Sequence, residues 1–172
     1  MKKILVLFFL NTFIMSIFAQ GNSKTLTSKI VDELCSANGM TRKTITELII
    51  PDEYTIIGDY AFEECKCLKN VKLPSGITQI GNGAFGRTSI TNLTFPSNIV
   101  AIGNYPFGKS SLKTLTILAK TPPKLSQQQD TFYTGNMNRK IIIYVLNESL
   151  EKYKNSWKNQ SYIQIEPISS KE

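Results

Sequence analysis

The sequence predicts an α/β repeat fold: a short solenoid of stacked coils, each with a short strand, and a C-terminal capping helix. Three observations predict it. An apolar pattern recurs every 22 to 23 residues, as ITELIIP (Ile45 to Pro51), LKNVKLP (Leu68 to Pro74), ITNLTFP (Ile90 to Pro96) and LKTLTIL (Leu112 to Leu118). A second pattern keeps the same spacing, as IGDYAF from Ile57, IGNGAF from Ile80 and IGNYPF from Ile102. Pro, Gly and Phe are each minor components of the chain, so their joint return at fixed offsets marks a structural repeat rather than a general wealth of Leu and Ile.

The N-terminus comes first. Met1, Lys2 and Lys3 precede an uncharged, mainly apolar run from Ile4 to Phe18 and a small residue, Ala19. That is the layout of a secretory signal peptide, residues 1–19, cleaved after Ala19. A membrane anchor needs roughly 20 apolar residues, whereas this run is shorter and is interrupted by Asn11, Thr12 and Ser16. No later stretch is long and apolar enough to span a bilayer, so no transmembrane segment is expected in the mature chain. No Cys follows the cleavage site directly, so lipid attachment there is not expected. Residues 20–44 form an N-terminal cap, in which Ile30, Val31 and Leu34 cover the first strand as helix or hairpin; the sequence leaves both open.

Residues 45–118 hold the repeats. Alternation makes each apolar pattern a short strand with inward Leu48 and Ile50, Val71 and Leu73, Leu93 and Phe95, and Leu115 and Ile117. Pro51, Pro74 and Pro96 end their strands, because proline has no N–H to give to a ladder. Gly58, Gly81 and Gly103 suit either a turn at positive φ or a close approach of backbone. Phe62, Phe85 and Phe107 fill the core between coils. No coil of this size buries its own apolar face, so neighbours must supply the burial and the ends must differ.

Residues 119–172 read as a degenerate last repeat and a C-terminal cap. Phe132 takes the phenylalanine place, and Ile141 to Val145 supplies a fifth strand. Asn147 is placed to N-cap a helix, Glu148 suits its positive end, and Leu150, Tyr153 and Trp157 share one face. That face should close the core rather than serve as a ligand platform.

Together, ITELIIP, IGDYAF, LKNVKLP, IGNGAF, ITNLTFP and IGNYPF resemble the BspA-like leucine-rich repeats of bacterial cell-surface and secreted proteins, and TPPKL with IIIYVLNESLEKYKNSW resembles the module that often closes such chains. The resemblance spans roughly Ile45 to Ile165. It implies a right-handed leucine-rich-repeat solenoid with a parallel β-sheet on one face and a role in adhesion or host-protein binding. Leu118 and Leu146 stand where a strand-ending Pro is usual, and Pro106 where Ala61 and Ala84 stand in other copies.

Enzyme chemistry is not expected. The chain has no histidine, which removes the commonest general base, the Ser-His and Cys-His nucleophile pairs and every His-based metal site. Cys65 and Cys67 have the wrong spacing for a redox pair or a zinc knuckle. Asp52-Glu53 and Glu63-Glu64 are adjacent carboxylates in turns and read as solvated. Three cysteines allow at most one bridge, from Cys35 to Cys65 or Cys67; the alternative, which we prefer, is that Cys65 is a small buried apolar residue. Gly103 to Ser110 matches G-x-x-x-x-G-K-[ST], the phosphate-cradling loop. Gly103 and Phe107 are already repeat positions, Pro106 removes a donor, and the strand starting near Leu112 leaves no room for the helix such a loop requires. No nucleotide, cofactor or metal is expected.

The formal charge of +7 falls to +5 on loss of the signal peptide, and the basic residues are scattered, which disfavours a nucleic-acid footprint. Sequons occur at Asn92, Asn147 and Asn159. The outward strand positions are the candidate binding residues: Glu47, Ile49, Asn70, Lys72, Asn92, Thr94, Thr114, Thr116, Ile142 and Tyr144. Five strands about 4.8 Å apart and roughly 17 Å long give a face on the order of 400 Å². A standard protein interface takes about 800 Å² per partner, so this face suits a weak contact, a small ligand or one part of an assembly. The expected function is a non-catalytic extracellular binding or adhesion module, secreted or at the cell surface, with the periplasm as a further compartment. Its partner would be a host or envelope protein, or a glycan. The alternative is a structural or accessory envelope protein packed against a neighbour.

Overall fold

The structure is a computed structural model and describes residues 23–126 and 130–168. The predicted signal peptide lies outside the described residues. In chain order the elements are β1 (Thr25–Leu26), α1 (Ser28–Ala37), β2 (Glu47–Ile49), β3 (Ile56–Ile57), β4 (Asn70–Lys72), β5 (Gln79–Ile80), β6 (Asn92–Phe95), β7 (Ala101–Ile102), β8 (Thr114–Ile117), β9 (Lys124–Leu125), β10 (Ile141–Val145), one 3₁₀ turn (Asn147–Ser149), α2 (Leu150–Ser156) and β11 (Ile163–Pro167). They wind into a parallel β-solenoid of about five turns with few helices.

Three columns of backbone hydrogen bonds tie coil to coil. The first joins the long strands, with β2 paired to β4 and β6 continuing through β8 and β10 to β11, all parallel. Leu48, Ile50, Leu93, Phe95, Leu115 and Ile117 point inward and are buried, as alternation requires, whereas Val71 and Leu73 are only half-buried. Among the described residues no strand pairing joins β4 to β6, so the long-strand sheet has a seam between the second and third coils. At the next junction the N–H of Thr114 donates to the Thr91 carbonyl at 3.1 Å, while Asn92 makes no such bond to the second coil. Leu118, standing where Pro51, Pro74 and Pro96 end the earlier strands, keeps its N–H and donates it to the Phe95 carbonyl at 3.1 Å.

The second column, β1-β3-β5-β7-β9, is built from strands of two residues each and carries no alternation for the sequence to reveal. The third runs through the turns: Tyr60 and Phe62 donate to the carbonyls of Asn82 and Ala84, and Phe85 to that of Pro106, each at 2.8 Å. Asp59 accepts the Asn82 N–H on Oδ1 at 2.7 Å, and Asn82 Oδ1 accepts the Asn104 N–H at 2.7 Å, so a side-chain ladder reinforces this column.

Of the two uses open to the repeated glycine, close approach is the one observed. A Cβ on Gly81 would stand 2.5 Å from the Asp59 nitrogen, and one on Gly103 would stand 2.6 Å from the Asn82 nitrogen. Positive φ falls elsewhere, in two columns: Tyr60, Gly83, Tyr105 and Asp130, then Glu64, Arg87, Lys109 and Gly135. The spacing of 23 residues between the first two coils comes from one extra residue before Leu68. Three steps separate Cys65 from Leu68, against two from Thr88 to Ile90 and from Ser110 to Leu112. It is absorbed at an exposed corner, Lys66-Cys67.

Phe62, Phe85 and Phe107 form a stack inside these coils, with centroids 5.1 Å apart at 4° and then 5.9 Å apart at 14°. At the N-terminal end, α1 is a helix, which resolves the choice the sequence left open. The Thr27 hydroxyl accepts the Ile30 N–H, Val31 and Cys35 are buried, and left-handed Gly39 ends the helix with the Met40 N–H on the Cys35 carbonyl at 2.9 Å. At the other end, Tyr153 donates its hydroxyl to the Ala119 carbonyl at 2.9 Å, Trp157 donates Nε1 to the Pro123 carbonyl at 3.3 Å, and Phe132 packs on Trp157 at 5.2 Å. Asn147 is not the N-cap of α2. It opens the 3₁₀ turn without a side-chain capping bond, because that extra turn delays the helix to Leu150.

Gly81→Ala should lower unfolding free energy by about 2 kcal/mol through overpacking, read as a lower urea midpoint at unchanged slope. Phe85→Ala, which leaves a void between two rings, should cost about 3 to 5 kcal/mol. Hydrogen exchange should be faster at the Asn92 amide than at Thr114; equal protection would mean a continuous long-strand ladder.

Candidate functional site

The ten outward residues of the long strands lie on one face in two rows. Register aligns Glu47 with Asn70, Asn92 with Thr114, and Thr114 with Ile142 in the first row. The second row aligns Ile49 with Lys72, Thr94 with Thr116, and Thr116 with Tyr144. Glu47, Ile49, Asn70, Lys72, Asn92 and Thr94 are exposed, and Thr114, Thr116, Ile142 and Tyr144 are half-buried. The parallel ladder produces the rows because residues at the same phase of successive strands must stand side by side. The Thr114 hydroxyl donates to Asn92 Oδ1 at 2.5 Å, a cross-strand bond within the first row.

Sequence reasoning missed a further strand on this face. β11 pairs with β10 and adds Gln164 beside Ile142 and Glu166 beside Tyr144, joined by a 2.7 Å hydrogen bond from Gln164 Nε2 to Glu166 Oε1. Its signal was present as the alternation of Ile163, Gln164, Ile165 and Glu166. The added strand gives the face a polar, acidic border next to Tyr144. The seam divides it into a patch of four residues on β2 and β4 and a larger one on the remaining strands.

The segment matching the phosphate-binding pattern is part of a coil. Phe107 is buried, Lys109 has φ 57, and a turn follows Gly108 where a helix would have to open. The Ser110 carbonyl accepts from Arg139 at 2.8 Å. The N–H groups of Gly103, Gly108, Ser110 and Ser111 donate to the carbonyls of Ile80, Tyr105, Phe107 and Thr88, within the coil and to its neighbour.

Cys35 and Cys65 sit by Arg42, a residue the sequence did not single out. Its guanidinium donates to the carbonyls of Ser28, Ala61 and Glu63 at 2.5, 3.0 and 3.2 Å and pairs with Asp32 at 2.5 Å, which fastens α1 to the first coil. Cys35 and Cys65 are buried beside it and unpaired, and Cys67 is exposed and unpaired. Burial pushes the Cys35 thiol up and the Cys65 thiol up to about 11, against the pull of Arg42 on both. Cys65 is therefore the small buried residue expected of it. An open hollow of about 440 Å³ lies against Asp32, Cys35 and Arg42, with the ion pair in its wall.

The profile of the BspA type leucine rich repeat region matches residues 36–163 in six copies. Among curated proteins none matches the chain. Among solved structures, the pneumococcal vaccine antigen PcpA is similar at 20% identity with a TM-score of 0.44, over 72% of this chain and 36% of that one. The chain thus spans about a third of the length of that protein.

Thiol labelling of the native chain near neutral pH should modify Cys67 alone, with Cys35 and Cys65 reacting only on unfolding. Because the unfolded Cys65 thiol ionises near 9 and the folded one near 11, stability should fall as pH rises through that window. Rapid labelling of all three cysteines in the native state would contradict the burial.

Proposed function

This chain belongs to the BspA-type leucine-rich repeat family, and from that premise we propose that it is a non-catalytic binding and adhesion module acting through the outer face of its long-strand sheet. Leucine-rich-repeat solenoids generally serve as interaction scaffolds, which present an extended regular surface rather than an enclosed site. The observation that carries the reading is the two rows of outward residues, aligned from β2 to β4 and again from β6 to β10, which mix apolar, amide, hydroxyl and charged groups. That mixture is the chemistry of a protein-binding rim and core rather than of a charged footprint.

The partner is a host or envelope protein, and the protein acts outside the cytoplasm after its signal peptide is removed near Ala19. The pattern of Lys2, Lys3 and the apolar run to Phe18 supports export, and no helix among the described residues is long and apolar enough to cross a membrane. In this reading the coil is right-handed. Residues 20–44 and 119–172 close its two ends, an assignment supported by the burial of Val31 and Cys35 on one side and of Tyr153 and Trp157 on the other.

The test is affinity capture with the processed chain against envelope extract and host extracellular proteins side by side. One arm should return a specific partner, and Lys72→Ala with Tyr144→Ala should weaken that capture by about 2 kcal/mol or more, as loss of a binding hot spot does. Undiminished capture would move the site off the sheet face. N-terminal sequencing of protein from culture fractions checks export, and a retained Met1 would contradict it.

A further inference from the structure

We propose that this chain assembles head to tail, the last long strand of one copy, β11, pairing in parallel with the first, β2, of the next. The two end coils are incomplete in complementary ways. A full coil runs from long strand to short strand to turn. Before β2 the described residues supply a short strand, β1, paired to β3, and α1 in the place of a turn, but no long strand. Arg42 marks that place. It donates to the carbonyls of Ala61 and Glu63, whose counterparts Ala84 and Gly86 accept from Phe62 and Glu64 of the coil before them. At the other end β10, α2 and β11 follow in order, and among the described residues neither a short strand nor a turn is joined to β11. The long-strand column therefore overhangs at one end and falls short at the other. β11 of one copy with β1 and α1 of the next makes one complete coil.

The two free edges also match. Asn70 donates to the Thr46 carbonyl and Ile50 to that of Lys72, so parallel alternation turns the main-chain groups of Glu47 and Ile49 away from β4. On β11, Ile141 donates to the Tyr162 carbonyl and Ile168 to that of Val145, which leaves the main-chain groups of Ile163 and Ile165 on the free edge. The inner row of the sheet runs Leu93, Leu115, Ile143, Ile165, and Leu48 of the next copy continues it. In that register the next copy's Glu47 N–H meets the Ile163 carbonyl, the Ile165 N–H meets the Glu47 carbonyl, and the Ile49 N–H meets the Ile165 carbonyl. Leu48 and Ile163 are buried and stay on the inner side. Outside, Gln164 stands beside Glu47 and Glu166 beside Ile49, so no like charges are directly opposite. Pro167 falls opposite Ile50, where the ladder ends for want of an N–H.

A second copy fits better than a foreign strand because it satisfies both ends at once. An unrelated peptide on β2 would leave β11 open, and an open strand edge invites indiscriminate pairing. The contact is heterologous, with a different surface from each copy, so copies add in line rather than closing as a symmetric dimer. Joining also carries the outer rows onward, from Gln164 to the next Glu47 and from Glu166 to the next Ile49. A face on the order of 400 Å² in one copy reaches in two copies about the 800 Å² that a standard interface takes. The junction itself stands whatever the face binds.

Sedimentation velocity of the processed chain, from micromolar to millimolar concentration, should show the mass rising through dimers to longer chains. Hydrogen exchange at Glu47, Ile49 and Ile165 should slow over the same range, while that at Leu48, turned toward β4, stays constant. Ile49→Pro and Ile165→Pro each remove an N–H that lies on a free edge, and each should weaken association about tenfold with the unfolding midpoint little changed. In a Cys67→Ser background, Glu47→Cys combined with Gln164→Cys should give a series of crosslinked oligomers on mild oxidation. Within one chain those sites stand five strand steps apart, about 24 Å, too far for a disulfide. A mass that stays monomeric throughout, association undiminished by both prolines, or crosslinking by Glu47→Cys alone as efficient as by the pair would overturn the proposal.

Discussion

The fixed axial step between coils, set by backbone hydrogen bonds running in three columns, is the constraint on which everything else depends. Once neighbouring coils are held about 4.8 Å apart, each residue's principal neighbour is its own counterpart one coil away. Phenylalanine therefore meets phenylalanine at 5.1 and 5.9 Å, glycine must meet glycine because no Cβ fits, and the Asn82 amide oxygen receives the next coil's N–H where Asp59 had served Asn82. Repetition in the sequence is the chemical image of this step. A substitution that suits one coil is judged by the coil above and the coil below.

The same constraint explains what was legible. The long strands were readable because alternation distinguishes Leu48 from Glu47 and Leu115 from Thr114. The paired Pro, Gly and Phe fixed the register without any structure. The short-strand column was not readable, since strands such as Ile56–Ile57 are too brief to carry a period. The left-handed positions stayed hidden because Tyr60, Glu64, Arg87, Tyr105, Lys109 and Asp130 hold a conformation usually signalled by glycine. Arg42 was invisible for another reason: its carbonyl partners at Ala61 and Glu63 are distant in sequence and chemically anonymous. Of the candidate site, the ten outward residues could be read from alternation, but the border added by Gln164 and Glu166 could not be placed without the pairing of β11.

Charge is distributed unevenly along the axis. Residues 23–90 carry eight basic and eight acidic side chains, and residues 91–168 carry nine basic and four acidic. The pairs in the first half, such as Arg42 with Asp32 and Arg87 with Glu64, largely compensate within and between coils. The later coils keep an excess of lysine, so the field of the molecule is positive toward its C-terminal half and is screened over roughly a Debye length. The outward rows themselves are mostly uncharged, Glu47 and Lys72 being their charged members.

The seam between β4 and β6 gives the molecule a mechanical character that a continuous sheet would lack. The coils on either side remain joined through β3, β5 and β7 and through the turn column, and side chains span the two ends of the seam, Ser89 Oγ donating to the Lys66 carbonyl at 2.5 Å and Asn98 Nδ2 to the Ser75 carbonyl at 3.0 Å. A shift at that line would strain these side-chain bonds rather than a strand pairing, and it would change the angle between the patch of Glu47, Ile49, Asn70 and Lys72 and the rest of the outer face. The long-strand ladder is therefore continuous from β6 to β11 and interrupted at one place among the described strands, where side-chain bonds take its part.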